Sequence, residues 1–292
     1  MIRLSASHFT FALTLSCPNR PGIVAMISAR LYELGANITE AQQFDYTDAH
    51  QFFMRIVFDV AHSDSITRQL EKTLAEAASH LEMIWSLTDM GKPHKVLLMV
   101  SKFDHCLVDL LYRWRIGELP IEPVGIIANH PADTYADTDF YGIPFHYLPI
   151  TKNTKAAQEE QIWEIFQNSG AELIVLARYM QILSNEFSQK LAGRCINIHH
   201  SFLPGFKGAR PYHQAFARGV KLIGATAHYV TSDLDEGPII EQDVERISHA
   251  DSPEDLIRKG RDIERRVLAS AVRYHIERRT ILNGSKTIIF SD

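Results

Sequence analysis

The feature that most constrains the fold is a change of rhythm at residue 93. Beyond it, apolar runs of strand length alternate with stretches of helical spacing. In order these are KVLLMVS, HCLVDLLYRWR, PVGIIAN, FHYLPI, TKAAQEEQIWEIFQNSG, ELIVLARY, NEFSQKLAG and CINIHH. Strands separated by helices are joined by crossovers, and crossovers produce parallel pairs. An α/β unit with a mostly parallel sheet is therefore expected. Two further strands, GATAHYV and IIEQDVERI, flank the turn SDLDEGP closely enough to be antiparallel. A long helix over 253–280 follows, with Arg and Glu at i,i+4 spacing on its outer face.

Residues 9–87 have a different order. FALTLSC alternates as a strand, and PNRPG makes a turn. IVAMISARLYEL has helical spacing and stops at Gly35. NITEAQQFDY and HQFFMRIVFDV read as strands on either side of Thr47-Asp48-Ala49. SITRQLEKTLAEAASHL is a second amphipathic helix, and MIWSLTD a last strand. The sum is βαββαβ, a ferredoxin-like unit. Asp89-Met90-Gly91-Lys92-Pro93 is polar, carries Gly and Pro, and reads as the linker, giving domains at 1–88 and 94–292.

A chain of 292 residues can bury cores of both sizes. Its 46% hydrophobic and 22% charged residues fit a globular protein rather than a disordered one. No apolar run is long enough to span a bilayer. The N-terminus, with Arg3, Ser5, Ser7 and His8, lacks the apolar core of a signal peptide, so a cytoplasmic location is expected. A net charge of −5 argues against nucleic acid, which demands a basic face. Cys17, Cys106 and Cys195 have no CxxC spacing and are expected as reduced thiols. Fourteen histidines contain no HExxH or comparable ligand set, and His199-His200 should point to opposite faces of a strand. No metal site is expected.

Chemistry concentrates between Cys195 and Asp243. In the alternation Cys195-Ile196-Asn197-Ile198-His199, residues two apart share a face, so Asn197 and His199 stand side by side while the isoleucines bury. An amide can donate to a carbonyl oxygen, and an imidazole can donate or carry a proton near neutral pH. Asp233 and Asp235 lie in the SDLDEGP turn, where a carboxylate can face that pair. Taken singly, these residues fit a catalytic centre or ordinary strand and turn positions.

The stretch CPNRPGIVAMISARLYELGANI resembles the ACT domain, a regulatory module that pairs with copies of itself and often binds amino acids. That resemblance implies an effector site at Asn19, Arg20, Pro21 and Gly22, where helix-start N–H groups favour a carboxylate, and a homo-oligomer formed through this domain. LARYMQILS, INIHHSFLPGFKGARPYHQAF and HYVTSDLDEGPIIEQ resemble, in order, three blocks of the folate-dependent formyltransferase fold, which is Rossmann-like. The resemblance implies a catalytic triad of Asn197, His199 and Asp235. It also implies a folate pocket in which main-chain groups of Met180, Gln181, Ile182 and Leu183 hold the pterin, closed on the other side by Ser232, Asp233, Leu234 and Asp235.

One segment departs from the transferases of that fold. Those acting on glycinamide ribonucleotide carry a glycine-rich loop after the first strand to cradle a phosphate. Here MVSKFDHCLVDLL has no glycine. Lys102 attracts an anion, but Phe103 and Asp104 obstruct a phosphate nest, and His105 stands near its mouth, placed to position water or to serve structure alone. Without an acceptor amine, water is the nucleophile. SKFDHCLVDLL, the ACT fusion and the KTIIF terminus together resemble the formyltetrahydrofolate deformylases. This implies hydrolysis of 10-formyltetrahydrofolate to formate and tetrahydrofolate, with no cofactor beyond the folate substrate, feeding formate to purine biosynthesis and balancing one-carbon folate pools. Asn197 and His199 would stabilise the oxyanion. Asp235 would activate water, its pKa raised by partial burial. Two other readings are a formyltransferase, since KGARP resembles a loop of methionyl-tRNA formyltransferase, and a non-catalytic folate or amino-acid sensor.

Overall fold

The computed structural model describes residues 8–63, 65–205 and 211–291. The N-terminal stretch with Arg3, Ser5 and Ser7, and positions 206–210 in GFKGARP, lie outside the described residues. Two compact units emerge. One comprises Met1–Lys92 with Glu277–Ile281 and Ile288–Asp292, the other Pro93–Ile276 with Leu282–Thr287.

The first unit runs β1 (His8–Pro18), α1 (Ile23–Glu33), β2 (Asn37–Tyr46), β3 (Gln51–Ala61), α2 (Ile66–Leu81) and β4 (Ile84–Asp89). Its antiparallel sheet has the order β2-β3-β1-β4. Alternation decides which face is covered: Phe11, Leu13 and Leu15 of β1 and Ile56 and Phe58 of β3 meet Ile27 and Leu31 of α1 and Leu70 and Leu74 of α2. Each such side chain contributes roughly 1.5–3 kcal/mol by leaving water. Arg55 is buried, pairing with Glu40 at 2.7 Å and donating from Nε and Nη2 to the Glu277 carbonyl.

The second unit continues with β5 (His94–Val100), α3 (His105–Arg115), β6 (Ile121–Ala128), β7 (Phe145–Tyr147), α4 (Lys155–Ser169), β8 (Leu173–Leu176), α5 (Asn185–Lys190), β9 (Cys195–His199), α6 (Pro211–Arg218), β10 (Leu222–Tyr229), β11 (Ile239–Arg246) and α7 (Pro253–Ile276). Its seven-stranded sheet has the order β11-β10-β9-β8-β5-β6-β7. The strands from β9 to β7 are parallel, and β10 is antiparallel to both β9 and β11. Leu97 and Met99 of β5 pack with Ile162 and Phe166 of α4 and Phe187 of α5 on one face. On the other face, α7 packs on β9, β10 and β11 and meets α3.

Three expectations need correction. The eight-residue strand ELIVLARY stops at Leu176, because Arg178 takes a left-handed backbone (φ 65°) that no strand accommodates. PYHQAFAR forms α6, with Pro211 at its first position, where a missing N–H costs nothing. The long helix ends at Ile276, and its close charge pairs, Asp255 with Arg258 and Asp262 with Arg265, are spaced i,i+3 rather than i,i+4. The remaining segment forms a hairpin, β12 (Thr280–Asn283) and β13 (Lys286–Ile289), turned at Gly284-Ser285 with Gly284 at φ 61°.

Candidate active site

The carboxyl end of β9 and the turn between β10 and β11 build the site. In the β9–β10 pairing Asn197 lies opposite His228 and His199 opposite Thr226. Directly opposed residues share a face, so the amide and two imidazoles cluster there. After Tyr229 the chain turns, with Tyr229 N–H donating to the Pro238 carbonyl at 2.9 Å and Glu236 N–H to the Asp233 carbonyl at 3.2 Å. Asp235 occupies a left-handed conformation (φ 58°), one that Asp tolerates better than most residues. This aims its carboxylate inward.

Asp235 Oδ1 lies 3.2 Å from His199 Nδ1 and 3.7 Å from His228 Nε2. His228 Nδ1 lies 2.9 Å from the Tyr229 carbonyl oxygen, and its Nε2 lies 3.3 Å from Asn197 Nδ2. Asn197 keeps its second amide hydrogen. His199 is 5% exposed, and its Nε2 is buried with no hydrogen-bond partner among the described residues. A buried ring nitrogen left open is costly unless something else meets it.

Burial alone would raise the Asp235 pKa, as expected from the sequence. The imidazoles of His199 and His228 outweigh that effect and hold the carboxyl well below the usual range. Asp235 is thus a fixed anion and a poor base, which corrects the expected sign. The His199 and His200 rings do not point apart either: β9 ends at His199, so alternation stops there, and their centroids lie 5.2 Å apart. Burial, assisted by the positive charge of Arg178, lowers the His200 pKa to about 4, so this ring is neutral.

Asn197, His199, His228 and Asp235 line a cavity of about 300 Å³. The same cavity is walled by Met180, Gln181, Ile182 and Leu183 on one side and Ser232, Asp233 and Leu234 on the other. Met180, Ile182 and Leu234 are 51%, 61% and 55% exposed, whereas Leu183 belongs to the core. Three large apolar side chains at one mouth form a surface suited to a flat ring.

The MVSKFDH segment is held from several directions. Asp104 Oδ2 accepts from Thr138 Oγ1 at 2.7 Å, and His105 Nε2 meets Glu264 Oε2 at 2.9 Å. Lys102 is exposed. His105, Cys106 and Glu264 have the proximity of a metal-ligand set. However, Arg178 Nε approaches the same Glu264 oxygen at 3.3 Å, and burial, reinforced by the Glu264 charge, raises the Cys106 thiol far above its ordinary pKa. A cation and a protonated thiol make this an ion network instead. All three cysteines are free and buried. Among the described residues no helix is long and apolar enough to cross a membrane.

At Asn19–Gly22, Gly22 precedes α1 with φ 93° and its carbonyl accepts from Met26 N–H. Asn19, Pro21 and Gly22 are exposed. The Arg20 guanidinium is already engaged, donating to the His80 carbonyl at 3.1 Å beside Glu82.

A formyl transferase family model matches residues 94–272, and an ACT domain model residues 11–75. A formyltetrahydrofolate deformylase from Corynebacterium sp. (strain P-1) is 48% identical over 277 residues, 95% of this chain and 96% of that relative. The chain belongs to the formyltetrahydrofolate deformylase family. The Bacillus subtilis (strain 168) protein of the same name is also 48% identical, covering 96% of this chain and 93% of its own length. A crystal structure of formyltetrahydrofolate deformylase from Burkholderia mallei superposes with a TM-score of 0.89 at 52% identity, covering 97% of this chain and all of that one.

Sequence reasoning missed His228 and Glu264. GATAHYV does carry a signal for the first: Thr226 and His228 are its polar residues nearest the turn, two apart, on the strand that enters the Asp235 turn. For Glu264 the signal was the buried face of α7, where Gly260, Ile263, Val267 and Ala271 recur at helical spacing beside it.

Proposed function

We propose that this chain hydrolyses 10-formyltetrahydrofolate to formate and tetrahydrofolate. The observation that carries this reading is identity near one half, sustained along both units, to proteins named for that deformylation. The cavity geometry supports it. The pterin lies between the main chain of Met180–Leu183 and the Ser232–Asp235 turn, under Met180, Ile182 and Leu234. The formyl group reaches Asn197, whose free amide hydrogen meets the developing oxyanion.

Asp235 is too acidic to take a proton from water. Its role is to hold His199 by Nδ1–H, so that Nε2 presents a lone pair to the cavity. Water attacks the formyl carbon as His199 Nε2 accepts its proton. The new C–O bond forms, the C–N10 bond breaks, and the imidazolium returns the proton to N10. Formate and tetrahydrofolate account for every atom, with no group required beyond the folate and water. His228 keeps Asn197 and Asp235 in register. The test is formate release from 10-formyltetrahydrofolate with no acceptor present. Formate should appear in step with tetrahydrofolate; release of neither product would sink the reading.

The N–H groups of the first turn of α1 favour an amino-acid carboxylate, so we infer an effector site at Asn19, Arg20, Pro21 and Gly22. Calorimetric titration of the full chain with the common amino acids should show saturable heat for at least one, lost in Arg20→Ala. A flat titration with all of them would remove the effector site.

A further inference from the structure

In an open α/β sheet the ligand crevice lies outside the carboxyl ends of the strands, where the order of winding reverses. Here β6 lies on one side of β5 and β8 on the other, so that point falls between β5 and β8. It is occupied by side chains. His105 follows β5, Arg178 follows β8, and both converge on one oxygen of Glu264 at 2.9 and 3.3 Å. Tyr212 of α6 donates its hydroxyl to the other oxygen at 2.6 Å. Glu264 is 1% exposed and ionised despite burial, which works upward, because the His105 hydrogen bond and the Arg178 charge pull its pKa below the ordinary value. Gly260, one turn earlier on α7, gives the Tyr212 ring room: a Cβ there would lie 2.1 Å from it. The network borders the formyl site through His200, whose ring lies 5.2 Å from His199 and 6.4 Å from Tyr212.

The network is not arranged for its own stability. Arg178 holds a left-handed backbone that suits glycine, and its Nη1 is buried without a hydrogen-bond partner among the described residues. An arginine held under both conditions must occupy space or supply charge. Resting on the hydrolytic reading above, we propose that His105, Arg178 and Tyr212, gathered on Glu264, plug the crevice beside the formyl carbon and keep out any acceptor larger than water. The plug decides the acceptor, while Asn197, His199 and Asp235 carry the chemistry. With an amine admitted, a C–N bond to the amine would form as C–N10 breaks, and the amine proton would pass to N10.

The experiment is a competition. The full chain is given 10-formyltetrahydrofolate with glycinamide or hydroxylamine, and formate is measured against the N-formyl product. The parent protein should yield formate. Arg178→Gly, which places glycine on a backbone that favours it, and His105→Gly should raise the N-formyl share by about tenfold or more. Tyr212→Phe, the loss of one oxygen, should raise it less. Circular dichroism and tetrahydrofolate binding confirm folding in each case. An unchanged product ratio in the folded variants overturns the plug, as does a parent protein that already formylates glycinamide. No formate from the parent protein under any condition would instead overturn the hydrolytic reading.

Discussion

Asp235→Asn is expected to lower formate release by about 10⁴-fold, with tetrahydrofolate binding close to that of the parent protein. The size follows from what the substitution changes. In the proposed mechanism the carboxylate stabilises the imidazolium that forms when His199 takes the proton of water, and it fixes which ring nitrogen faces the cavity. Asparagine is neutral and can present its amide N–H to His199 Nδ1, which would place the hydrogen on Nε2, where a lone pair is needed. The backbone should not object. Asn tolerates the left-handed region as Asp does, so the φ of 58° is retained and the turn survives. The main-chain pterin contacts proposed above would be untouched, so binding should separate from turnover. Steady-state formate assays and tetrahydrofolate titration read the two quantities. Turnover within tenfold of the parent protein would remove Asp235 from the mechanism and leave it a turn residue.

Much of this arrangement is legible in the sequence alone. The change of rhythm at residue 93 separated the two units, because strand–helix alternation and the βαββαβ order are local patterns. Asn197 and His199 were legible as neighbours because period-two alternation fixes the face. What remained hidden depends on partners distant in sequence. The Asp235 pKa is set by His199 and His228, 36 and 7 residues away, and without them burial gives the wrong sign. The left-handed turn at Arg178 ends β8 early, yet nothing in LARYMQ marks it, since arginine is a poor residue for that conformation. Glu264 looked like one charge among many on an Arg- and Glu-rich helix. Only the packing of α7 against α3 and β9 turns it inward.

The same turn that aims Asp235 sets the second large expectation. Gly237→Ala should destabilise the second unit by about 3 kcal/mol and lower its melting temperature by roughly 6–12 °C. A Cβ at Gly237 would lie 1.8 Å from the Tyr229 carbonyl oxygen and 3.2 Å from His228 Nδ1. The obstructing atom is backbone, and that backbone is committed: Tyr229 N–H donates to the Pro238 carbonyl, and its oxygen lies 2.9 Å from His228 Nδ1. No rotamer change relieves the clash, so the Asp233–Pro238 turn must move. Asp235, two residues away, moves with it, and so does the ring that orders Asn197. A displacement of about 1 Å in such groups costs on the order of a hundredfold in rate. Stability and turnover should therefore fall together, unlike in Asp235→Asn. Gly91→Ala serves as the control: there the new Cβ meets only the Asp89 side chain at 3.3 Å, and stability should stay within about 0.5 kcal/mol. Thermal melts and formate assays on both variants decide it. A Gly237→Ala protein that melts with the parent would mean the turn can relax, and that its shape does not fix the position of Asp235.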